Sequence, residues 1–425
     1  MNSWKQQKLG IVADVKLSNV DKITNENERA VRLCNYTDVY KHSFINIEKS
    51  ESFMLASCNE NEYEKFILKK GQVAITKDSE TPNDIGVSTY ISEDFEDAVL
   101  GYHLALITPN TDKLNGRFLH YWLNTKQAKR YFENNAGGSG QRCTLVLDCI
   151  KSTPLYLPNL SIQEKIAKVL FDLDAKIELN NKIDQKLEAM AKTLYDYWFV
   201  QFDFPNEQGK PYKSSGGKMV YNAELKREIP EGWEVKLLKD FAKIKKGTLI
   251  TEKTADTNGN IKVVSAGIDY SYFHSKSNYE ENTITVSASG ANAGFINFWR
   301  EPIFACDCTT VQGESIAGTL LILEFLKMRQ EYLYSQAKGS AQPHVYPKDV
   351  EGLKIAVPIN DLIIEFGKKT ISGNKLIANN QKQNQQLTAL RDWLLPMLMN
   401  GQVTVCEAEE KLSLAAEPSV EYKKG

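Results

Sequence analysis

The sequence predicts an α+β protein written twice: two mixed globular modules, each followed by a long α-helix, with the two helices paired antiparallel about a pseudo-twofold axis. Three observations carry this expectation. "DAKIELNNK" at 174–182 returns as "NKLIANNQK" at 374–382, an offset of 200 residues, whereas solenoid repeats recur every roughly 20 to 50 residues. At that same offset "LYLPNL" (155–160) falls on "IAVPIN" (355–360), and after one gap "GGSGQ" (137–141) falls on "KGSAQ" (338–342). Further upstream the offset grows to 229, where "SWKQQKLGIVADV" (3–15) matches "GWEVKLLKDFAKI" (232–244) and sets Trp4 opposite Trp233. The internal duplication therefore takes in strands and loops as well as helices.

The first module covers residues 1–157 and the second 231–357. Short runs rich in β-branched residues, bounded by turn formers, predict strands at "GQVAIT" (71–76), "HLALITP" (103–109), "NTITVSAS" (282–289) and "LKIAVP" (353–358). Helical spacing predicts one main helix in each module, "GRFLHYWLNTKQAKRYFEN" (116–134) and "AGTLLILEFLKMRQEYLYSQ" (317–336), each with an amphipathic face for a sheet. Tyr121, Trp122, Tyr332 and Tyr334 lie at that helical spacing, which assigns them to the core rather than to base stacking.

The long helices occupy 158–200 and 358–402. In the first, Ile166, Leu170, Leu173 and Ile177, then Leu187, Ala191, Leu194 and Trp198, form a heptad seam. A helix of about 35 residues is on the order of 50 Å long, more than one small domain can enclose. The second seam, with Phe366, Ile377, Leu387 and Leu394, is poorer, since Thr370, Gly373 and Arg391 replace Leu170, Leu173 and Ala191. With "NNQKQNQQ" (379–386) in its middle, this helix is marginal alone and needs its partner. Antiparallel pairing would bring Asn180 toward Asn384 and Asp184 toward Asn380, a polar layer that fixes register. The alternative is that all four lie on exposed faces. Between the halves, residues 201–230 read as a connecting loop rich in Gly, Pro, Ser and charge, and 403–425 as a loosely held tail.

Composition excludes more than it selects. The chain has 425 residues, 42% hydrophobic content and a formal net charge of −2, enough for two cores and without an overall basic coat. No apolar run approaches membrane-spanning length and no leader precedes the first strand, so a cytoplasmic location is expected, away from membranes. Seven cysteines without a CxxC pair predict reduced thiols and no metal site. No phosphate-binding loop, nucleophile elbow, HExxH or base-gripping Asn-Pro-Pro tetrapeptide is present. "SASGANAG" (287–294) fails the dinucleotide fingerprint on spacing. No catalytic site is expected.

Four loops could instead present polar groups to a partner. "TKDSETPND" (76–84) carries Lys77, Ser79 and Thr81, and "GGSGQR" (137–142) carries Ser139, Gln141 and Arg142. In the second module "SASGANAG" carries Ser289 and Asn292, and "GSAQPH" (339–344) carries Gln342 and His344. Gly-rich backbone permits close approach, and Gln, Arg and Asn can bond bidentately to base edges. Lys245, Lys246 and Thr248 in "KIKKGTLI" could meet phosphates. Ordinary turn chemistry and a solvated basic turn are the competing readings.

The run "LPNLSIQEKIAKVLFDLDAKIELNNKI", the aromatic close "YDYWFVQFDFP" and the opening "IPEGWEVKLLKDFAKIKKG" together resemble the specificity subunits of type I restriction-modification systems. The resemblance extends from about Trp4 to Gln402 and is most specific between Leu157 and Trp233. It implies a non-catalytic subunit whose modules are target recognition domains for the two halves of an asymmetric, bipartite site in double-stranded DNA. The helices then set the gap and dock two methyltransferase subunits. Those partners would carry S-adenosylmethionine for adenine methylation, and restriction subunits would use ATP and Mg, so this chain binds no cofactor itself. Ile363 and Ile364 stand where the first helix has Gln163 and Glu164, which implies that the second docking surface differs in detail. The competing classes are a self-sufficient DNA methyltransferase or nuclease, and a coiled-coil scaffold whose modules only cap a helical hairpin.

Overall fold

The computed structural model describes residues 4–138, 142–337 and 343–408. The chain forms two compact units, Met1–Leu179 with Asn384–Gly425, and Asn180–Gln383. Each unit holds one module, and the division falls inside both long helices rather than at the module ends. Those helices run Leu160–Tyr195 and Asn360–Met399, and a π-helical turn at Asp196–Val200 prolongs the first.

In the first unit the main sheet has the order Ala13–Leu17, Leu104–Pro109, Val73–Thr76, Ser88–Ile91 and Phe44–Ile45. A second sheet sets Arg29–Cys34 between antiparallel Met54–Cys58 and parallel Ala98–Leu100. The second unit repeats the plan with Lys243–Lys246, Cys308–Gln312, Thr283–Ser287 and Ile296–Trp299 in its main sheet. Its smaller sheet again has one antiparallel and one parallel neighbour around Ile261–Val264. Each module is closed by its own ends: Lys5 pairs with Leu157 and Glu234 with Val357 in antiparallel ribbons. All four strands predicted from sequence are present within these sheets. Val73–Thr76 and Thr283–Ser287 are buried along their whole length, which explains why they read as near-continuous apolar and β-branched runs.

Four expectations are corrected here. The main helix of each module is broken: Gly116–Leu123 is followed by Lys126–Asn135, and Ile316–Met328 by Gln330–Gln336. Thr125 ends the first segment because its hydroxyl accepts from the Ala128 N–H and so caps a new helix. Tyr121 and Trp122 are core residues as expected, but Tyr332 and Tyr334, on the shorter second segment, are exposed. The connecting loop contains a hairpin, Met219–Asn222 against Arg227–Pro230. The tail is held at its start: Val403 and Val405 pack on the first core, Ala408 is buried in it, and Thr404 and Glu407 cap the turn.

The helix seam carries each core. Ile166, Leu170 and Leu173 pack with Leu387, Leu394, Phe118 and Phe132 in the first unit, and Ile177 lies at its edge. In the second, Trp198, Phe199 and Phe202 surround Trp233 and Phe366, with Phe199 and Phe366 ring centroids 5.2 Å apart. Burying each such ring contributes roughly 1.5–3 kcal/mol, which accounts for the aromatic run that ends the first helix. Leu194 is partly buried beside this cluster, whereas Leu187 borders a cavity of about 790 Å³ lined also by Ala191, Thr370, Gly373 and Ile377. The small residues that weakened the second seam leave that space.

The polar layer is internal. Asn180 and Asn380 are buried, Asn380 donates to Asp184 Oδ1 at 2.7 Å, and Asn180 donates to Gln383 Oε1 at 2.8 Å, one position before Asn384. Burial pushes the Asp184 carboxyl up, against the bond from Asn380. Because the partner number falls as the first rises, the helices run antiparallel here. Arg391 is not a defect in the seam: its Nη1 lies 2.8 Å from Asp174 Oδ1.

Asp174, itself buried, also accepts from Tyr121 Oη at 2.6 Å and Ser43 Oγ at 2.9 Å. Since the Ser43 proton goes to Asp174, Ser43 Oγ accepts from His120 Nε2 at 3.1 Å. On the other side Asn124 donates to Ser88 Oγ, which donates to His120 Nδ1 at 3.0 Å. The neutral ring is thus satisfied on both nitrogens. Burial pushes the His120 imidazole down to about 4 from an ordinary 6.5, with Asp174 opposing the shift. Between those values the unfolded chain binds a proton that the folded chain refuses, so stability is lost as pH falls from about 6.5 to about 4, by roughly 3 kcal/mol. His120→Gln should flatten that limb of a urea-unfolding series against pH. Parallel losses in both proteins would contradict the assignment.

Candidate nucleic-acid interface

The loops predicted to face a partner gather at one end of each module. In the first, Gly86 (φ 78°) turns the chain back to Thr76, and the segment between them carries Lys77, Asp78, Ser79 and Thr81. Asp78–Ser79 pairs antiparallel with Cys143–Thr144, and the Leu145 N–H donates to the Lys77 carbonyl at 2.7 Å. These loops border an open cleft of about 570 Å³, lined by Asp78, Ser79, Thr81, His103 and Arg142 with Tyr36 and Tyr40 on its other wall. Those two tyrosine rings stack at 5.8 Å.

At the floor of the cleft Asp78 is the hub. It accepts from His103 Nδ1 at 2.8 Å, Thr144 Oγ1 at 2.8 Å and Lys77 Nζ at 3.1 Å. Burial alone would raise its carboxyl, but the bonds from His103, Thr144 and Lys77 outweigh it and the group is lowered. Lys77 is therefore committed to an internal ion pair, and Ser79 is buried with its Oγ 3.4 Å from the Thr81 N–H, so neither is the freely presented group expected. Thr81 and Arg142 are exposed. Ser139 and Gln141 lie outside the described residues.

The second module repeats the arrangement with other side chains. Gly294 (φ 93°) returns the chain to Ser287, Ser289 bridges His344, and the Val345 N–H donates to the Ala288 carbonyl at 3.0 Å. Ser289 is buried and donates to Asp307 Oδ2 at 2.7 Å. Asn292 is half-buried in the turn, and the His344 ring stacks on Tyr346 at 5.9 Å. Gln342 lies outside the described residues.

Lys245 and Lys246 are exposed on the strand that pairs with Cys308–Gln312, and exposed Thr248 follows, its N–H donating to Ala305 O at 3.0 Å. Gly247 permits this close passage, because a Cβ there would lie 2.1 Å from the Cys306 carbonyl oxygen. The basic turn thus lies beside the start of the strand that Asp307 immediately precedes. In the first module Lys16 faces Leu106 at the same strand position that Lys245 holds opposite Thr310. Sequence reasoning missed Asp78, His103 and Asp307, because strand pairing between distant segments brings each to the loop cluster of its own module. Gln163 is buried, accepting from the Asn115 N–H and donating to the carbonyls of Lys113 and Pro158, so it anchors the first helix to the module. Ile363, at the matching place, is buried among apolar side chains instead.

The profile of the type I restriction modification DNA specificity domain matches residues 3–189 and again 230–389. The chain belongs to that family. It is similar to the HindI specificity subunit of Haemophilus influenzae, with 25% identity across 95% of this chain and 100% of that protein. It is also similar to the MjaIX specificity subunit of Methanocaldococcus jannaschii, at 29% identity over 70% of this chain and 71% of the other. The crystal structure of a type I restriction-modification S subunit from M. genitalium shares the fold, with a TM-score of 0.59 at 17% identity, covering 94% of this chain and 97% of that one. Among the described residues of this family member no helix is long and apolar enough to cross a membrane, and no group of three side chains could hold a metal. All seven cysteines are free thiols.

If the basic turn meets phosphates, replacing Lys245 and Lys246 by Ala should weaken DNA binding by the assembled complex for all sequences alike. The slope of log affinity against log salt should fall by about two. A changed base preference with an unchanged slope would contradict this.

Proposed function

We propose that this chain is the DNA-reading subunit of a type I restriction-modification complex, in which each module recognises one half of an asymmetric, bipartite site. The observation that carries the reading is a scaffold whose sheet plan is duplicated, matched twice by a DNA specificity domain, with loops that differ between copies. Equal modules would read equal half-sites; different loop chemistry on the same backbone reads different ones. Both relatives named above are specificity subunits, which supports a DNA-reading role over a self-sufficient methyltransferase or nuclease and over a scaffold with passive caps.

In this proposal the two long helices set the length of the unread gap and dock two adenine methyltransferase subunits. S-adenosylmethionine then sits on those partners, and ATP with Mg on added restriction subunits, in the cytoplasm. A formal net charge of −2 supports dependence on partners. Sequence-independent affinity comes mainly from phosphate neutralisation, and a chain with no excess positive charge gains it by adding subunits.

Mapping methylated adenines genome-wide in cells with and without this chain and its methyltransferase tests the proposal. A bipartite motif should appear only when both are present. Methylation by the chain alone, or by the methyltransferase without it, would overturn the reading.

A further inference from the structure

The two modules can be superposed by hydrogen-bond register alone. Thr76 opposite Leu104 in one sheet corresponds to Ser287 opposite Cys308 in the other, and Gly86 and Gly294 close the same turn onto Thr76 and Ser287. One residue before each central strand therefore stand His103 and Asp307; two residues beyond each neighbouring strand stand Asp78 and Ser289. Across from those, on the returning loop, stand Thr144 and His344. At three equivalent places the first module has carboxylate, imidazole and hydroxyl, and the second has hydroxyl, carboxylate and imidazole. The chemistry is the same set, permuted over one backbone.

The hydrogen bonds say which member of each set is held and which is presented. Ionised Asp78 only accepts, so His103 carries its proton on Nδ1 and turns its Nε2 edge away from Asp78. The His103 ring is further packed against Tyr102, with centroids 3.7 Å apart, and its side chain keeps 18% exposure at the cleft. In the second module Ser289 spends its one proton on Asp307 Oδ2, which leaves Oδ1 as the acceptor not engaged in that bond, on a side chain that is not buried. The basic turn Lys245–Lys246 runs beside this residue, where a phosphate contact would hold DNA against it.

We infer that His103 and Asp307 are the base-reading side chains at equivalent positions of the two modules, and that Asp78 and Ser289 are positioning residues that orient them. This rests on the DNA-reading role proposed above. With its proton on Nδ1 the His103 ring presents an uncharged acceptor, Nε2, where Asp307 presents an anionic one, so groups of different charge and shape meet the base edge at the same place in the two modules.

The test uses the chain assembled with its methyltransferase and a DNA library randomised in both half-sites. The wild-type complex should methylate one bipartite motif; if it does not, the DNA-reading role fails before this inference is reached. His103→Gln and Asp78→Asn should each relax or change a base preference in one half-site only, by about ten- to a hundredfold in discrimination. Asp307→Asn and Ser289→Ala should do so in the other half-site only. Asp78→Ser, which takes the residue the equivalent backbone already accommodates, provides a second variant should Asn disturb folding. For the positioning pair, the base preference should move in the same half-site as that of the residue each one orients, a readout that a merely structural role would not move. Unchanged motifs in all variants, changes in both half-sites at once, or loss of methylation on every sequence would each overturn the assignment.

Discussion

The antiparallel pairing of the two long helices is the constraint on which the rest depends. Neither helix is built to stand alone: the second carries "NNQKQNQQ" at its middle and a helix so polar gains little from propensity in water. Pairing hides Asn180 and Asn380 and gives the amide nitrogen of each an acceptor on the facing helix, Gln383 and Asp184. A shift by one residue would leave buried amides without these partners, at a cost of about 1–3 kcal/mol for each. Register is thereby fixed by hydrogen bonding where the apolar seam alone, interrupted by Thr370, Gly373 and Arg391, would tolerate sliding.

The duplication preserves this frame but fills it differently. Asp174 is bound by Arg391 from the facing helix, whereas Asn374, 200 residues on, accepts from Arg300 of the module and donates to Asn282. Arg300 also reaches Glu188 at 2.9 Å. A charged partner is thus supplied from the helix in one unit and from the globular module in the other. Leu173 fills its core, while Gly373 and Ala191 leave a cavity. Packing of one unit can drift in this way without altering the register that the polar layer sets, and the loops at the module ends can diverge further because they bear on neither.

Periodic features were legible in the sequence and pairwise ones were not. The seam residues, the four strands and the repeat itself follow from spacing, which a single chain displays. The aromatic run closing the first helix was visible as a resemblance, and only the fold reveals its cause in the cluster around Trp233. The break at Thr125 depends on a cap competing with continued helix, and the exposure of Tyr332 and Tyr334 on that break's counterpart at Arg329. At the interface, the loops were found but their hubs were not: Asp78 meets His103 and Thr144 across 25 and 66 residues of sequence. Lys77 and Ser79, chosen for their residue type, prove to be internal because an adjacent carboxylate and a buried turn claim them.

The central claim is that one frame carries two independent readers. Replacing residues 231–357 with the corresponding module of a relative, and sequencing the DNA methylated by the assembled complex, tests it directly. The account predicts that one half of the motif changes while the other half and the gap between them persist. An unchanged motif, or replacement of both halves together, would contradict it.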